Sequence, residues 1–182
     1  QADGEFYHET FGSVINKRYI LKALANLADS STVNVNLLTH LTFDRIKYLI
    51  FNEGLSFTDA KLKAQNELLK VFNLEEEIPV NCDYLDISQG GVMNSKLFAV
   101  SVIILGFKAY MDLAEYLTYF ALDFETDGTI DNEDIQKSLI TSAIFCNTGG
   151  IRMNMMKFYN VTEFSEFQVY INEFIEKSKF QP

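Results

Sequence analysis

The sequence is short of the residues that interrupt regular structure or bind zinc. It contains no tryptophan, two prolines, two cysteines and nine glycines in 182 residues. So few prolines and glycines leave little room for long linkers. The cysteines, Cys82 and Cys146, belong to no Cys/His cluster, so a zinc site is not expected. They allow either one disulfide or two separate buried thiols, and we favour the thiols.

Basic residues are also scarce. The 15 Lys and Arg residues stand against 25 Asp and Glu residues, which gives a formal net charge of −10. A surface of that charge repels phosphate backbones and anionic lipids. We therefore expect no nucleic-acid partner, and membrane contact only through a lipid anchor outside this chain. The acidity is also an ordinary means of staying soluble.

No hydrophobic run is long enough to cross a membrane. The longest, Leu97 to Phe107, is broken only by Ser101 and Gly106, whereas a membrane span needs roughly 20 apolar residues. We interpret the run as a fully buried helix. No signal segment opens the chain at Gln1, so we expect that a signal has been removed or that the chain is a fragment.

The chain does contain ample material for a core. Hydrophobic residues make up 48% of it and aromatic residues 14%, which excludes wholesale disorder. The length suits one domain, or one domain with a small appendage.

The first part of the chain has an extended pattern. Glu5–Glu9 mixes aromatic and charged residues, Phe11–Ser13 is typical of a turn, and Tyr19–Leu27 is a second extended candidate. Residues 1–33 are therefore predicted to be a β-hairpin or pair of strands. Ile20–Ala25 also allows a helix, because alanine and leucine favour one.

From residue 34 to 182 the apolar spacing becomes helical. A first helix is predicted from an N-cap at Asn34 or Asn36 to Gly54, and a second from Ser56, with Asp59 in capping-box spacing. The short link makes these two helices neighbours. An irregular stretch, Glu75–Gly91, follows. The remaining predicted helices are a core helix from Asn94 or Ser95 to Gly106, one from Asp112, one capped by Asp131 with Ile135, Leu139, Ala143 and Ile144 inward, one from Ile151 to Tyr159 after Gly149-Gly150, and one from Phe164 to Ile175 with Thr162 as its N-cap.

These elements define the expected fold class. It is mainly α, an orthogonal or antiparallel bundle of about six to seven helices with a short N-terminal β segment. The apolar stretch around Val102 should lie at its centre, because a helix that is apolar all round is normally buried.

One segment resembles a calcium loop. Asp123–Asp134 offers oxygen ligands at alternating positions, a glycine at the sixth and an apolar residue at the eighth. The candidate ligands are Asp123, Glu125, Asp127, Thr129, Asp131 and Asp134. Asp134 stands where such loops carry glutamate, and an interhelical turn with Asp131 as N-cap explains the same residues without a metal.

Catalytic motifs are missing. The two histidines accompany neither GxSxG nor HExxH; His40, inside the first predicted helix, is expected to be a packed, hydrogen-bonded side chain, and His8 lies in the strand-like segment. No glycine-rich phosphate loop occurs, so no nucleotide cofactor is expected. A carboxylate pair suited to glycoside hydrolysis stays open, because 25 acids guarantee close pairs somewhere.

Three groups of stretches are informative when they are taken together: Val33–Leu41 with Arg45–Leu49, Gly54–Phe57 with Ala60, Ala64 and Glu67–Phe72, and Leu85–Ser88 with Ala99–Gly106 and Asp127–Asp131. In this order they resemble the helical region of uncharacterised surface lipoproteins of Bacteroides-type bacteria. The resemblance implies export to the outer membrane or cell surface and lipid anchoring through an upstream cysteine. It also implies a β module upstream, of which residues 1–33 would be the tail. The family has no established reaction to carry over.

Three functional hypotheses follow. The first is a non-catalytic scaffold or interaction domain of an exported cell-surface lipoprotein, with an unidentified protein or glycan partner. The second is a calcium-stabilised ligand- or glycan-binding module, although the lack of tryptophan and the burial of most aromatic stripes give no sugar platform. The third is a small hydrolase with a carboxylate pair, which needs a concave pocket with convergent acids.

Overall fold

The chain begins with a β-hairpin in the computed structural model, which describes residues 1–26, 28, 32–74, 81–108 and 110–180. Strand β1 (Ala2–His8) pairs antiparallel with β2 (Ser13–Leu21), with a bulge between Gly4 and Phe6. The predicted hairpin is confirmed. The helical alternative for Ile20–Ala25 is wrong, because the first two residues belong to β2 and the rest form no helix. Leu27, the predicted end of this strand, lies outside the described residues.

The described residues after the hairpin are mainly helical, which confirms the predicted mainly α fold class. The helices are α1 (Leu37–Leu41), α2 (Phe43–Phe51), α3 (Phe57–Val71), α4 (Val92–Leu105), α5 (Tyr110–Phe124), α6 (Glu133–Phe145), α7 (Thr148–Tyr159) and α8 (Gln168–Lys177), with a short 3-10 helix at Cys82–Tyr84. Of the irregular stretch predicted at Glu75–Gly91, residues 75–80 lie outside the described part of the chain. None of the described helices is both long and apolar enough to cross a membrane.

The first predicted helix is in fact two. It breaks at Thr42, whose hydroxyl donates to the carbonyl oxygen of Leu38 at 2.9 Å while its N–H donates to the same oxygen. Such back-bonding by threonine bends helices. Asn36 is the N-cap, and the Ser56 cap is confirmed because its hydroxyl accepts the N–H of Asp59.

Several predicted helix ends are wrong. Asn132, not Asp131, caps α6, since its side chain accepts the N–H groups of Asp134 and Ile135. Gly149 and Gly150 lie inside the first turn of α7, which Asn147 caps. Three helix starts also differ: α4 begins at Val92, α5 begins at Tyr110, and α8 begins after Phe167 rather than near Thr162. On α6, Ile144 is 43% exposed, and Ile140 is buried in its place.

Helix α4 lies at the centre of the bundle, as its uniform apolarity predicted. Ten of its side chains are buried, and it packs against α6 and α8. Phe98 meets the rings of Phe164 and Phe167 edge to face, with centroids 5.0 and 4.7 Å apart. Aromatic pairs of this geometry stabilise a core beyond the area they bury.

The hairpin shares this core. Phe6, Tyr7 and Tyr19 pack against the same cluster of buried residues that surrounds α4. A smaller cluster of Ile46, Leu49, Ala60 and Ala64 joins α2 to α3. The hairpin is therefore held on the bundle by apolar side chains, and its placement creates the cavity described next.

Candidate functional site

A cavity of about 610 Å³ lies between the hairpin and the bundle. Its deep wall is aliphatic and comes from three helices: Leu97 and Leu105 on α4, Leu113 and Leu117 on α5, and Met155 on α7. Its other wall is aromatic and consists of Phe6, Tyr7, Tyr19, Phe158 and Tyr159. Ligand sites in proteins are typically concave and mostly apolar, with volumes of roughly 300–1,000 Å³. The cavity has the size and the lining of such a site.

The cavity contains a buried carboxyl group. Glu9 follows the last residue of β1, lines the cavity and is only 3% exposed. Ser101, on the face of α4 that meets the hairpin, donates its hydroxyl proton to Oε1 of Glu9 at 2.7 Å. A charged residue is almost never fully buried unless it is paired. Among the described residues, no Lys, Arg or His forms an ion pair with Glu9.

Helix α7 fixes the position of Glu9. The side-chain amide of Asn154 donates to the carbonyl oxygen of Glu9 at 2.8 Å, and Tyr7 donates to the backbone carbonyl of Asn154 at 3.1 Å. The Asn154 amide also sits against Gly12, whose φ of 65° favours glycine and where a Cβ would lie 2.7 Å from that side chain. The turn of the hairpin therefore fits closely onto α7.

Burial controls the protonation of Glu9. It raises the pKa of the Glu9 carboxyl to about 7, although the residue's own N–H and the Ser101 hydroxyl stabilise the charged form and lower it. Desolvation without a nearby positive charge is the ordinary cause of such a rise. Near neutral pH the carboxyl therefore exists as a mixture of charged and neutral forms.

A second acid, Asp86, also lines the cavity. It is half-buried, and its Oδ1 accepts the N–H and the hydroxyl proton of Ser88 at 2.8 and 2.7 Å. Burial raises the pKa of Tyr159, and the negative charges of Asp86 and Glu9 raise it further. Burial and then Glu9 raise the pKa of Tyr7 in the same way. Two acids and three phenols, those of Tyr7, Tyr19 and Tyr159, thus line the same space.

The other polar groups of the lining are occupied by the fold. The side-chain amides of Asn34 and Asn36 donate to the carbonyl oxygen of Leu85, and that of Asn36 also donates to Cys82 at 2.8 Å. The hydroxyl of Ser101 is given to Glu9. An ionised carboxylate has about four acceptor sites, and Ser101 and its own N–H use two on Glu9. Glu9 is therefore the buried group of the lining that can accept a further hydrogen bond, and Asp86, whose Oδ1 accepts both bonds from Ser88, is its half-buried counterpart.

In the predicted calcium loop, two acidic side chains accept hydrogen bonds from residues of the same loop. Oδ2 of Asp123 accepts the N–H groups of Asp131 and Asn132 at 2.8 and 3.0 Å. Oδ1 of Asp127 accepts the N–H and the hydroxyl proton of Thr129, both at 2.9 Å. Of the two remaining candidates, Glu125 is half-buried in the loop, and Asp134 is exposed in the first turn of α6. The structure thus places these acids in one loop without aiming them at one point.

An arginine supplies the positive charge at this loop. Arg45, 2% exposed, donates to the backbone carbonyls of Glu125 and Thr126 at 3.2 and 2.6 Å and forms two hydrogen bonds with the Glu67 carboxylate. No group of three acidic, histidine or cysteine side chains in the described part of the chain is arranged to hold a metal. Calcium binding stays a prediction for experiment.

The histidines and cysteines have structural surroundings. Nε2 of His8 lies 3.2 Å from the carbonyl oxygen of Lys108, and Nδ1 of His40 accepts the N–H of Lys22 at 3.3 Å. Burial lowers the pKa of both rings. Cys82 and Cys146 are free thiols, and burial raises the pKa of Cys82 to about 12, which makes it unreactive.

Sequence reasoning did not identify the residues of the cavity. Glu9 and Ser101 are 92 positions apart, and Asn154 is 145 positions from Glu9. The available signal was weak: an acid directly after a strand rich in aromatic residues, and one serine in the most apolar helix. Comparisons with protein-family models, with curated proteins and with solved structures found no match.

Proposed function

We propose that this chain is a ligand-binding module that takes a small, largely apolar molecule into the cavity between the hairpin and the bundle. The observation that supports this most directly is the cavity itself, about 610 Å³ lined by aliphatic and aromatic side chains. Removing apolar surface from water favours binding by roughly 25 cal/mol per Å². A preformed cavity also lowers the cost of ordering the binding site.

The setting of this module is part of the proposal. On the resemblance to surface lipoproteins, the chain would belong to an exported, lipid-anchored protein and would present its cavity outside the cell. The full-length gene product tests this setting, since it should carry a lipobox cysteine and an upstream β module. A scaffold role for the remaining surface is compatible with binding at the cavity.

A second candidate is the small hydrolase with a carboxylate pair. The observation in its favour is that Glu9 and Asp86 line one cavity and that burial raises the pKa of Glu9 to about 7, as a general acid requires. Hydrolysis of nitrophenyl glycosides that is lost in both Glu9→Gln and Asp86→Asn would support it. Absence of turnover would leave the binding module as the function.

Dye binding to matched variants tests the cavity. Nile red, a neutral dye that emits at shorter wavelength in apolar surroundings, should bind the wild-type chain. Leu113→Phe places a larger ring in the cavity wall and should abolish binding while the fold stays intact by circular dichroism. Leu122→Phe, on the same helix but 59% exposed, is the control and should bind like wild type. Equal binding by both variants would exclude the cavity as the site.

A further inference from the structure

The charge of the cavity lining is one-sided. The described residues that line it include two acids, Glu9 and Asp86, and no Lys, Arg or His. An anionic ligand would meet both acids at short range in a space of low dielectric, where like charges repel strongly. The lining therefore selects against fatty acids and other anionic amphiphiles.

The aromatic wall is built from rings that pack on one another. The rings of Tyr7 and Phe158 stack at 4.1 Å, and Phe6 meets Tyr19 edge to face at 5.0 Å. This wall supplies apolar surface for the body of a ligand. The two acids, with no basic side chain in the described lining, make the cavity more favourable for a cation than for a neutral molecule of the same shape.

Glu9 is the group with which a bound cation would form an ion pair. It is 3% exposed, its carboxylate accepts from Ser101 and from its own N–H, and no basic side chain of the described residues pairs with it. Elsewhere in the molecule a buried acid is paired: Asp83 binds Lys61, which also donates to the carbonyl oxygen of Leu24. The contrast leaves Glu9 as a buried acid without a cationic partner.

From these observations we infer that the ligand is a cationic amphiphile, an amine with an apolar body, whose charged nitrogen pairs with Glu9 at the head of the cavity. This inference rests on the proposed function and specifies its ligand class. The apolar body would lie along the leucines of α4 and α5. Bound amine would hold Glu9 ionised, because an opposite charge within about 4–6 Å favours the charged form.

The surroundings of Glu9 do not compete for this role. The titratable groups that line the cavity with it are Tyr7 from β1, Tyr19 from β2, Tyr159 from α7 and Asp86 from the segment before α4. The phenols of Tyr7 and Tyr159 stay protonated near neutral pH, since burial and the nearby acids raise the pKa of each. Ser101 of α4 is a hydrogen-bond donor, and Asn154 of α7 binds the backbone of Glu9 rather than its carboxylate.

Three ligands with one apolar chain separate charge from cavity filling. Octylamine, octanol and octanoate should displace Nile red at pH 8 in that order of strength. We expect octylamine to bind about tenfold tighter than octanol, because an amine that lowers the pKa of Glu9 by about one unit on binding gains a factor of ten in affinity. Octylamine remains a cation down to acidic pH. At pH 5.5, where Glu9 is protonated, its advantage over octanol should shrink to about twofold or less.

Matched variants assign the effect to Glu9. Glu9→Gln keeps the shape of the side chain and should lose the preference for octylamine over octanol. Glu5→Gln, which changes an exposed acid on β1, the strand that leads to Glu9, should keep that preference. Octanol binding by Glu9→Gln also shows that this variant has folded with its cavity intact.

Each failure has a distinct meaning. If none of the three ligands displaces the dye, the proposed binding function falls together with the ligand class. If octanol binds as tightly as octylamine to the wild type, the cavity stands as a binding site and the cationic ligand is overturned. If Glu9→Gln retains the preference for octylamine, Glu9 is not its counter-ion and the inference is equally overturned.

Discussion

Two regions of the molecule hold acids in opposite ways. The loop from Asp123 to Asp134 is rich in acids, and two of them, Asp123 and Asp127, accept hydrogen bonds from the loop's own N–H groups, while Arg45 donates to its carbonyl oxygens. The cavity has one buried acid, Glu9, which accepts from a hydroxyl and its own N–H, and no basic side chain of the described residues pairs with it. Asp123 and Asp127 therefore have hydrogen-bond donors within their own loop, whereas Glu9 is buried without a cationic partner among the described residues.

This difference shows why the number of acids in a segment is a poor guide to a site. Ligand sites depend on polar groups that the fold positions and leaves partly unsatisfied, and such groups carry perturbed pKa values. The loop satisfies Asp123 and Asp127 locally, with hydrogen bonds from N–H groups of its own turns. Glu9 has no such arrangement, and only tertiary packing buries it.

The largest expected effect on stability comes from replacing Arg45, the buried cation that donates to the carbonyl oxygens of the loop. Arg45→Met should lower the free energy of unfolding by about 3–5 kcal/mol, because it leaves Glu67 and two backbone carbonyls without their buried partner. Urea denaturation followed by circular dichroism measures it. Arg18→Met, which breaks an exposed pair with Asp3, is the control and should cost less than about 1 kcal/mol. Equal losses in the two variants would mean that the buried contacts of Arg45 add no more stability than the exposed pair of Arg18 with Asp3.

The next effect concerns the acid without a cation. The native state keeps a proton on Glu9 up to about pH 7, while the unfolded chain releases it near its ordinary pKa of 4.5. Raising the pH between these values therefore favours the unfolded chain, and stability falls. Between pH 5 and 8 the wild type should lose about 2 kcal/mol relative to Glu9→Gln, in which this proton is absent.

Urea midpoints of both proteins across this pH range provide the measurement. The two curves should separate as pH rises, with the variant the more stable at pH 8. Parallel curves would mean that Glu9 titrates near its solution value, and the cavity would then be as well solvated as the loop.

How far the sequence predicts this molecule follows the same division. Local signals were sufficient for the hairpin, the Ser56 cap and the central position of α4, because turn residues, capping spacing and uniform apolarity act within one segment. They placed the cap of α6 one residue too early, at Asp131 instead of Asn132, because both residues are acceptable caps. They also missed the break at Thr42, which a single hydroxyl produces. Boundaries of this kind depend on packing that one segment does not encode.

The cavity was beyond such reasoning for a physical reason. Its acid directly follows β1, its serine lies on α4, and the asparagine that binds the acid's backbone lies on α7, so their meeting depends on how the hairpin packs on the bundle. The aliphatic wall used the same leucines that any core helix would supply. A cavity is a gap in packing, and a periodic apolar pattern indicates which residues face inward without indicating where they fail to touch.

A smaller effect is expected where α7 holds the turn beside Glu9. Asn154→Ala removes the amide that donates to the carbonyl oxygens of Glu9 and Thr10, and should cost about 1–2 kcal/mol through a half-buried unsatisfied group. It should also weaken Nile red binding, because the hairpin is one wall of the cavity. Asn132→Ala, which removes the cap of α6, should cost about 1 kcal/mol and leave dye binding unchanged. Loss of dye binding in both would show that general destabilisation causes it.

The smallest expected effect is that of calcium. A ligand at 100 times its dissociation constant raises stability by about 2.7 kcal/mol, so specific binding would be visible in a thermal melt. We expect the melting midpoint to be the same in millimolar calcium and in chelator, because Asp123 and Asp127 already accept hydrogen bonds from the loop and Arg45 takes the carbonyls beside them. A midpoint that rises with calcium but not with magnesium, and that Asp123→Asn abolishes, would contradict this. It would also mean that the loop exchanges its internal hydrogen bonds for a metal, so that both acidic regions of the molecule, and not the cavity alone, await an external cation.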